Sequence, residues 1–153
     1  MKSKIKVLAM FLLVCMSTAS LADKIQQESG MSVSGVFEVK IEPQNDEVAP
    51  VGRMRIDKEY SGGMSGKGIG QMISKRVEGG AAVYSAIEEF DGTINGKAGS
   101  FTLFHNGFMS ASKQSLEVII VEGSGTGELT GIQGSLSIIQ EAGKHSYVLE
   151  YQL

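Results

Sequence analysis

Cysteine is nearly missing from this 153-residue chain: it occurs once, at Cys15. One cysteine excludes an intrachain disulfide and any metal site built on several thiolates. Tryptophan is absent and proline occurs twice, at Pro43 and Pro50. Long apolar runs are missing too. The longest, Val7–Met16, is too short to span a bilayer. It follows Lys2, Lys4 and Lys6 and precedes Ser20-Leu21-Ala22, the layout of a secretory signal cut after Ala22. Val14 stands before Cys15, where a lipoprotein signal has a small residue, so lipidation is disfavoured. The sequence therefore predicts a signal peptide over 1–22, a flexible leader over 23–30 and one domain over 31–153. The location it predicts is periplasmic or secreted, with no membrane span left after cleavage. Basic residues are also scarce. The first 22 residues hold three of the 14 and no acid, so the remainder carries 11 basic against 17 acidic residues, a net charge of −6. That balance excludes non-specific nucleic-acid binding, which needs a basic surface.

What the chain has in abundance is glycine, 20 residues, all beyond position 22. The glycines punctuate stretches in which apolar and polar residues alternate, the signature of half-buried strands. Met31–Glu42 places Val33, Phe37, Val39 and Ile41 on one face, and Pro43 is expected to end it. Gly52–Tyr60 places Met54, Ile56 and Tyr60 together. Residues 64–77 place Ile69, Ile73 and Val77 on one face and Gly66, Gly68 and Gly70 on the other. That glycine row leaves space for a neighbouring side chain, a bend or a ligand. Further strands are predicted at 81–90, 100–108, 116–122, 136–140 and 146–153. Asp91-Gly92 and Asn95-Gly96 read as tight turns. Eight short strands without a convincing helix predict an all-β chain. Its natural form is a single antiparallel eight-stranded barrel, large enough inside for one small ligand.

The stretches YSAIEEFDGTINGKAGSFTLFHNG (84–107), GSGTGELTGIQG (123–134) and HSYVLEYQL (145–153) together resemble a bacterial family known as domain of unknown function 3224. The resemblance covers most of 31–153. It implies a barrel similar to that of allene oxide cyclase, and it implies no activity, because fold does not fix function. The chain departs from the family pattern in having Ile41 near a common tryptophan position and Gly63 at a common aspartate position.

Several constellations can carry chemistry. GSGTG at 123–127 lacks the Lys and the following helix of a phosphate loop, and Glu128 would repel phosphate, so a backbone bend at the barrel rim is the better reading. Glu88 and Glu89 face opposite sides of a strand, so only one can enter the barrel. The family motif falls on Glu88. Buried, it can serve as a general acid or base, or simply be held by a hydroxyl. His105 shares a face with Phe101 and Leu103, and His145 reads as a surface turn residue. Glu88, His105 and Tyr84 are the candidate catalytic residues. Gly66, Gly68, Gly70, Phe101 and Leu103 are the candidate ligand-binding residues. No metal site and no cofactor are predicted, and there is no Gly-x-Ser-x-Gly nucleophile elbow. The leading expectation is an exported barrel that binds a small hydrophobic molecule. The alternatives are an isomerase or cyclase acting on a hydrophobic substrate, and a structural or assembly protein whose apolar outer faces pair subunits in a homo-oligomer.

Overall fold

The computed structural model describes residues 30–45 and 50–153; the signal peptide and most of the leader predicted from the sequence lie outside this range. Eight strands follow one another: β1 Met31–Gln44, β2 Gly52–Gly62, β3 Met64–Arg76, β4 Ala82–Ile94, β5 Lys97–Met109, β6 Gln114–Ile120, β7 Gln133–Glu141 and β8 Lys144–Gln152. Each pairs antiparallel with the next, and β8 pairs with β1, so the sheet closes into a barrel in chain order. Closure leaves an inside and an outside, and the period-2 alternation assigns each side chain to one of them. Among the described residues no helix is long and apolar enough to cross a membrane.

The strands run longer than their apolar patterns suggest. Asp91-Gly92 is not a turn: both residues lie within β4, and the turn is Asn95-Gly96, each with positive φ. Gly92 lies opposite Gly66 on β3, where backbone fills the place of a Cβ. Pro43 does not end β1, which continues to Gln44 and pairs with β2. On its other side β1 is paired with β8 only as far as Phe37, so the missing proline N–H sits on a strand with a free edge.

The two ends of the lumen differ. At one end Met64, Ile94, Phe101, Leu129, Ile132 and Leu149 are fully enclosed and form one cluster with Phe90 and Tyr147. Burying a side chain of this size contributes about 1.5–3 kcal/mol. The Tyr147 hydroxyl accepts from the Met64 N–H at 2.7 Å and is 3.2 Å from the Met64 carbonyl. The aromatic rings of Phe37, Tyr60, Phe90, Phe101 and Tyr147 pack across the waist in tilted and edge-to-face pairs at centroid separations of 4.9–5.6 Å.

The glycine-rich segment closes this end. Its single 3₁₀ turn, Gly127–Leu129, plugs the floor with Leu129. Three alternate side chains, Ser124, Thr126 and Glu128, accept hydrogen bonds from the backbone N–H groups of Thr102, Ser100 and Ala98 at 2.9–3.0 Å. They stand in for a strand along the edge of β5. The segment is thus a rim bend, as its sequence predicted, and its polar groups are occupied by the fold.

Candidate functional site

Above the aromatic waist the lumen turns polar. Lys58 lies between Ile56 and Tyr60 on the inward face of β2, with 7% of its surface exposed. Across the barrel wall, Glu88 of β4 is fully enclosed and His105 of β5 is 3% exposed. Lys58 Nζ donates to Glu88 Oε2 at 2.6 Å, and the Tyr60 hydroxyl donates to Glu88 Oε1 at 2.8 Å. Lys58 Nζ also donates to the Tyr60 oxygen at 3.1 Å and stands 4.8 Å over the Phe37 ring. His105 Nε2 approaches Glu88 Oε2 to 3.0 Å, but off the line of a hydrogen bond. That nitrogen is buried with no hydrogen-bond partner.

These contacts set the charge states. Burial pushes the Glu88 carboxyl up, but His105 and Lys58 beside it push harder the other way and hold it below its ordinary value near 4.5. Glu88 is therefore a carboxylate at neutral pH. Burial, and then the Glu88 charge, push the Tyr60 phenol far up, so it stays a donor. Taking an ammonium and a carboxylate out of water costs several kcal/mol per ion, and an apolar pair of the same volume would avoid that cost. The sealed half of the barrel is packed with apolar groups and needs no such cluster.

Beyond the cluster lies the mouth. By register Ile41, Met54, Ile56, Met72, Ala86 and Leu116 face inward there. Ile41 remains 49% and Leu116 39% exposed, although both point into the barrel. The wall is also thinnest at this end. The β1–β8 pairing stops at Phe37–His145, and β6 meets β7 in one pair, Ile119–Ser135. An opening of about 440 Å³ lies beside the first gap, lined by Phe37, Val39 and His145 among others. His145 is not a surface turn residue: it is half-buried and stacks on Phe37 at 5.1 Å.

The residues singled out from the sequence separate by depth. Glu88 and His105 come together. Tyr84 lies two pleats nearer the mouth, its ring against Gly107, and burial pushes its phenol up. Gly68 and Gly70 line the wall opposite Glu88. Of the three occupants open to the glycine row, a neighbouring side chain is the one seen: the Glu88 carboxylate and the Tyr60 ring fill the space over Gly68. Leu103 lies beside Glu88 on the next strand, and Gly66 and Phe101 lie deeper, toward the sealed half. Sequence reasoning missed Lys58 and the part Tyr60 plays. The signal was there: Lys58 has the parity of Ile56 and Tyr60 and so points inward. Among the described residues no three His, Cys, Asp or Glu side chains converge as a metal site.

The pattern of a family described as "Protein of unknown function (DUF3224)" matches residues 33–151. A crystal structure of a protein with unknown function from that family, from Shewanella oneidensis MR-1, is 37% identical and superposes with a TM-score of 0.74. The match covers 81% of this chain and 97% of that one. Among curated proteins nothing matches the chain.

Proposed function

The chain belongs to the DUF3224 family, and from that premise we propose that it is an exported barrel that binds a small apolar molecule carrying one polar group. The molecule occupies the mouth half of the lumen, with its polar end over the Lys58–Glu88–His105 cluster. The observation that carries this reading is the cluster itself, three ionisable side chains enclosed beneath inward-facing apolar residues that are still exposed. A binding cavity has that composition: mostly apolar walls and a few placed polar groups that fix orientation. Met54, Ile56, Met72, Ala86 and Tyr84 supply the walls. Gly68, Gly70 and Leu103 hold the cluster in place from behind. The gap between β1 and the β7–β8 turn supplies a way in. Export rests on residues 1–22 alone.

Native mass spectrometry of the purified protein, with thermal melting in the neutral apolar fluorophore N-phenyl-1-naphthylamine, tests the reading. A copurified small molecule, or a rise in melting temperature that Ile56→Asp abolishes, supports it. The absence of both adduct and shift would overturn it.

A second reading, an isomerase or cyclase on an apolar substrate, is favoured by the 3.0 Å approach of His105 to Glu88. Glu88 would be the proton acceptor, His105 its partner and Tyr84 an orienting hydroxyl. Because Lys58 and His105 hold Glu88 ionised, it enters such a reaction as a base. Conversion of a bound molecule by the wild type but not by Glu88→Gln would establish this reading; unchanged recovery of that molecule from both would exclude it.

A further inference from the structure

We infer that the polar group recognised in the lumen is an uncharged hydrogen-bond acceptor, the carbonyl oxygen of a ketone, aldehyde or ester, and that His105 Nε2–H is the donor it meets. The inference rests on the binding reading above and adds the chemical class of the ligand. The donors and acceptors of the cluster decide it. Glu88 Oε1 accepts from the Tyr60 hydroxyl and lies against the wall, filling the space over Gly68. Glu88 Oε2 accepts from Lys58 Nζ and is flanked by His105. Lys58 Nζ has a second acceptor in the Tyr60 oxygen and stands over the Phe37 ring. His105 Nε2 is left over: among the described residues it is the one buried side-chain nitrogen or oxygen without a partner. An enclosed polar atom left unpaired is costly, and a ligand that supplies the missing partner accounts for it.

The neighbour fixes the proton. At 3.0 Å from Glu88 Oε2, a lone pair on Nε2 would face the lone pairs of the carboxylate, so Nε2 carries the hydrogen and requires an acceptor. Charge then excludes ionised head groups. Lys58 and Glu88 already balance each other. A ligand carboxylate at His105 would be enclosed beside the Glu88 carboxylate, two like charges sharing one poorly hydrated site; an ammonium would stand beside Lys58. An alcohol brings a hydrogen of its own, and both Glu88 oxygens are engaged. A carbonyl oxygen has none to place. Met54, Met72, Ala86 and Val118 share the inward level of His105. The two methionines are half-buried, and unbranched thioether chains repack readily. The apolar body of the ligand therefore reaches the ring from the mouth by displacing methionine side chains, past the small Ala86 directly opposite His105.

Four naphthalenes of one skeleton test this by displacing N-phenyl-1-naphthylamine from the purified protein: 2-acetylnaphthalene, 1-(2-naphthyl)ethanol, 2-ethylnaphthalene and 2-naphthoate. The ketone is expected to bind tighter than the alcohol and the carboxylate. His105→Phe is expected to weaken the ketone about tenfold, the worth of one hydrogen bond, while leaving 2-ethylnaphthalene within a factor of about two. The nitrogen-15 resonance of His105 Nε2 is expected to move with the ketone and to stay in place with 2-ethylnaphthalene. That measurement needs no variant, should His105→Phe not fold as judged by circular dichroism. Tighter binding of the alcohol or the carboxylate, equal loss of ketone and hydrocarbon in a folded His105→Phe, or an Nε2 resonance unmoved by saturating ketone would overturn the assignment and leave the binding reading standing. Binding of neither the fluorophore nor any of the four would overturn the binding reading, and this assignment with it.

Discussion

Replacing Lys58 with Met leaves the Glu88 carboxylate enclosed without its closest cation. Breaking a buried pair from one side typically costs about 3–5 kcal/mol, so Lys58→Met should unfold at markedly lower urea than the wild type. Adding Glu88→Leu to it should recover most of the loss, and a double-mutant cycle in urea measures the difference. If both single variants melt like the wild type, the cluster is not the coupled unit described. The pH dependence follows from the lowered Glu88 value. A carboxyl whose folded pKa lies below its unfolded one contributes stability above the ordinary range near 4.5. That contribution is lost as pH falls through the lower folded value. Melting temperature should therefore drop more steeply below about pH 4.5 in the wild type than in Glu88→Gln, whose curve is flatter there. At this scale the sequence was legible for His105 through its parity with Phe101 and Leu103, and for Glu88 through the family motif. It was legible in principle for Lys58, but a lysine among charged neighbours (Arg53, Arg55, Asp57 and Glu59) reads as part of a solvated face until its parity is followed. Glu88 and Glu89 could not be told apart by periodicity, because each shares a face with apolar residues.

Among elements, the glycine-rich segment and the seams decide what the barrel can do. Ser124, Thr126 and Glu128 each satisfy one N–H along β5, and a neutral hydrogen bond contributes about 1 kcal/mol. The triple substitution Ser124→Ala, Thr126→Val, Glu128→Ala should cost about 2–4 kcal/mol by that measure. It should also speed amide exchange at Ala98, Ser100 and Thr102 while leaving the β2–β3 amides protected. Leu129→Ala opens a cavity in the sealed floor and should cost about 2–5 kcal/mol in denaturant unfolding. The sequence announced these strands well, because alternation with glycine punctuation is a strong signal. It placed the strand ends less well. Asp91-Gly92 has turn chemistry, yet Gly92 serves close approach to β3, a demand made by a distant segment that no local pattern displays. Pro43 has the chemistry of a strand stop, and the unpaired edge of β1 that tolerates it is a property of the closed sheet.

The whole molecule is a barrel with one half packed and one half carrying charge beneath an apolar mouth. Closure was legible from the count and spacing of strands; which half is packed was not, since that depends on how Leu129 and Ile132 fold back under the floor. Local opening follows few contacts and free edges. Amides of Glu38–Gln44 and of the β7–β8 turn should therefore exchange faster than those of β3–β5 around the sealed end. Nitrogen-15 chemical-shift mapping during titration with N-phenyl-1-naphthylamine shows where an apolar molecule binds. Occupation of the mouth half of the lumen gives saturable shifts at Ile56, Met72, Ala86, His105 and Gly107, with the outer-face amides of Phe104 and Ile119 undisturbed. Shifts confined to that outer face, or none at all, would contradict it.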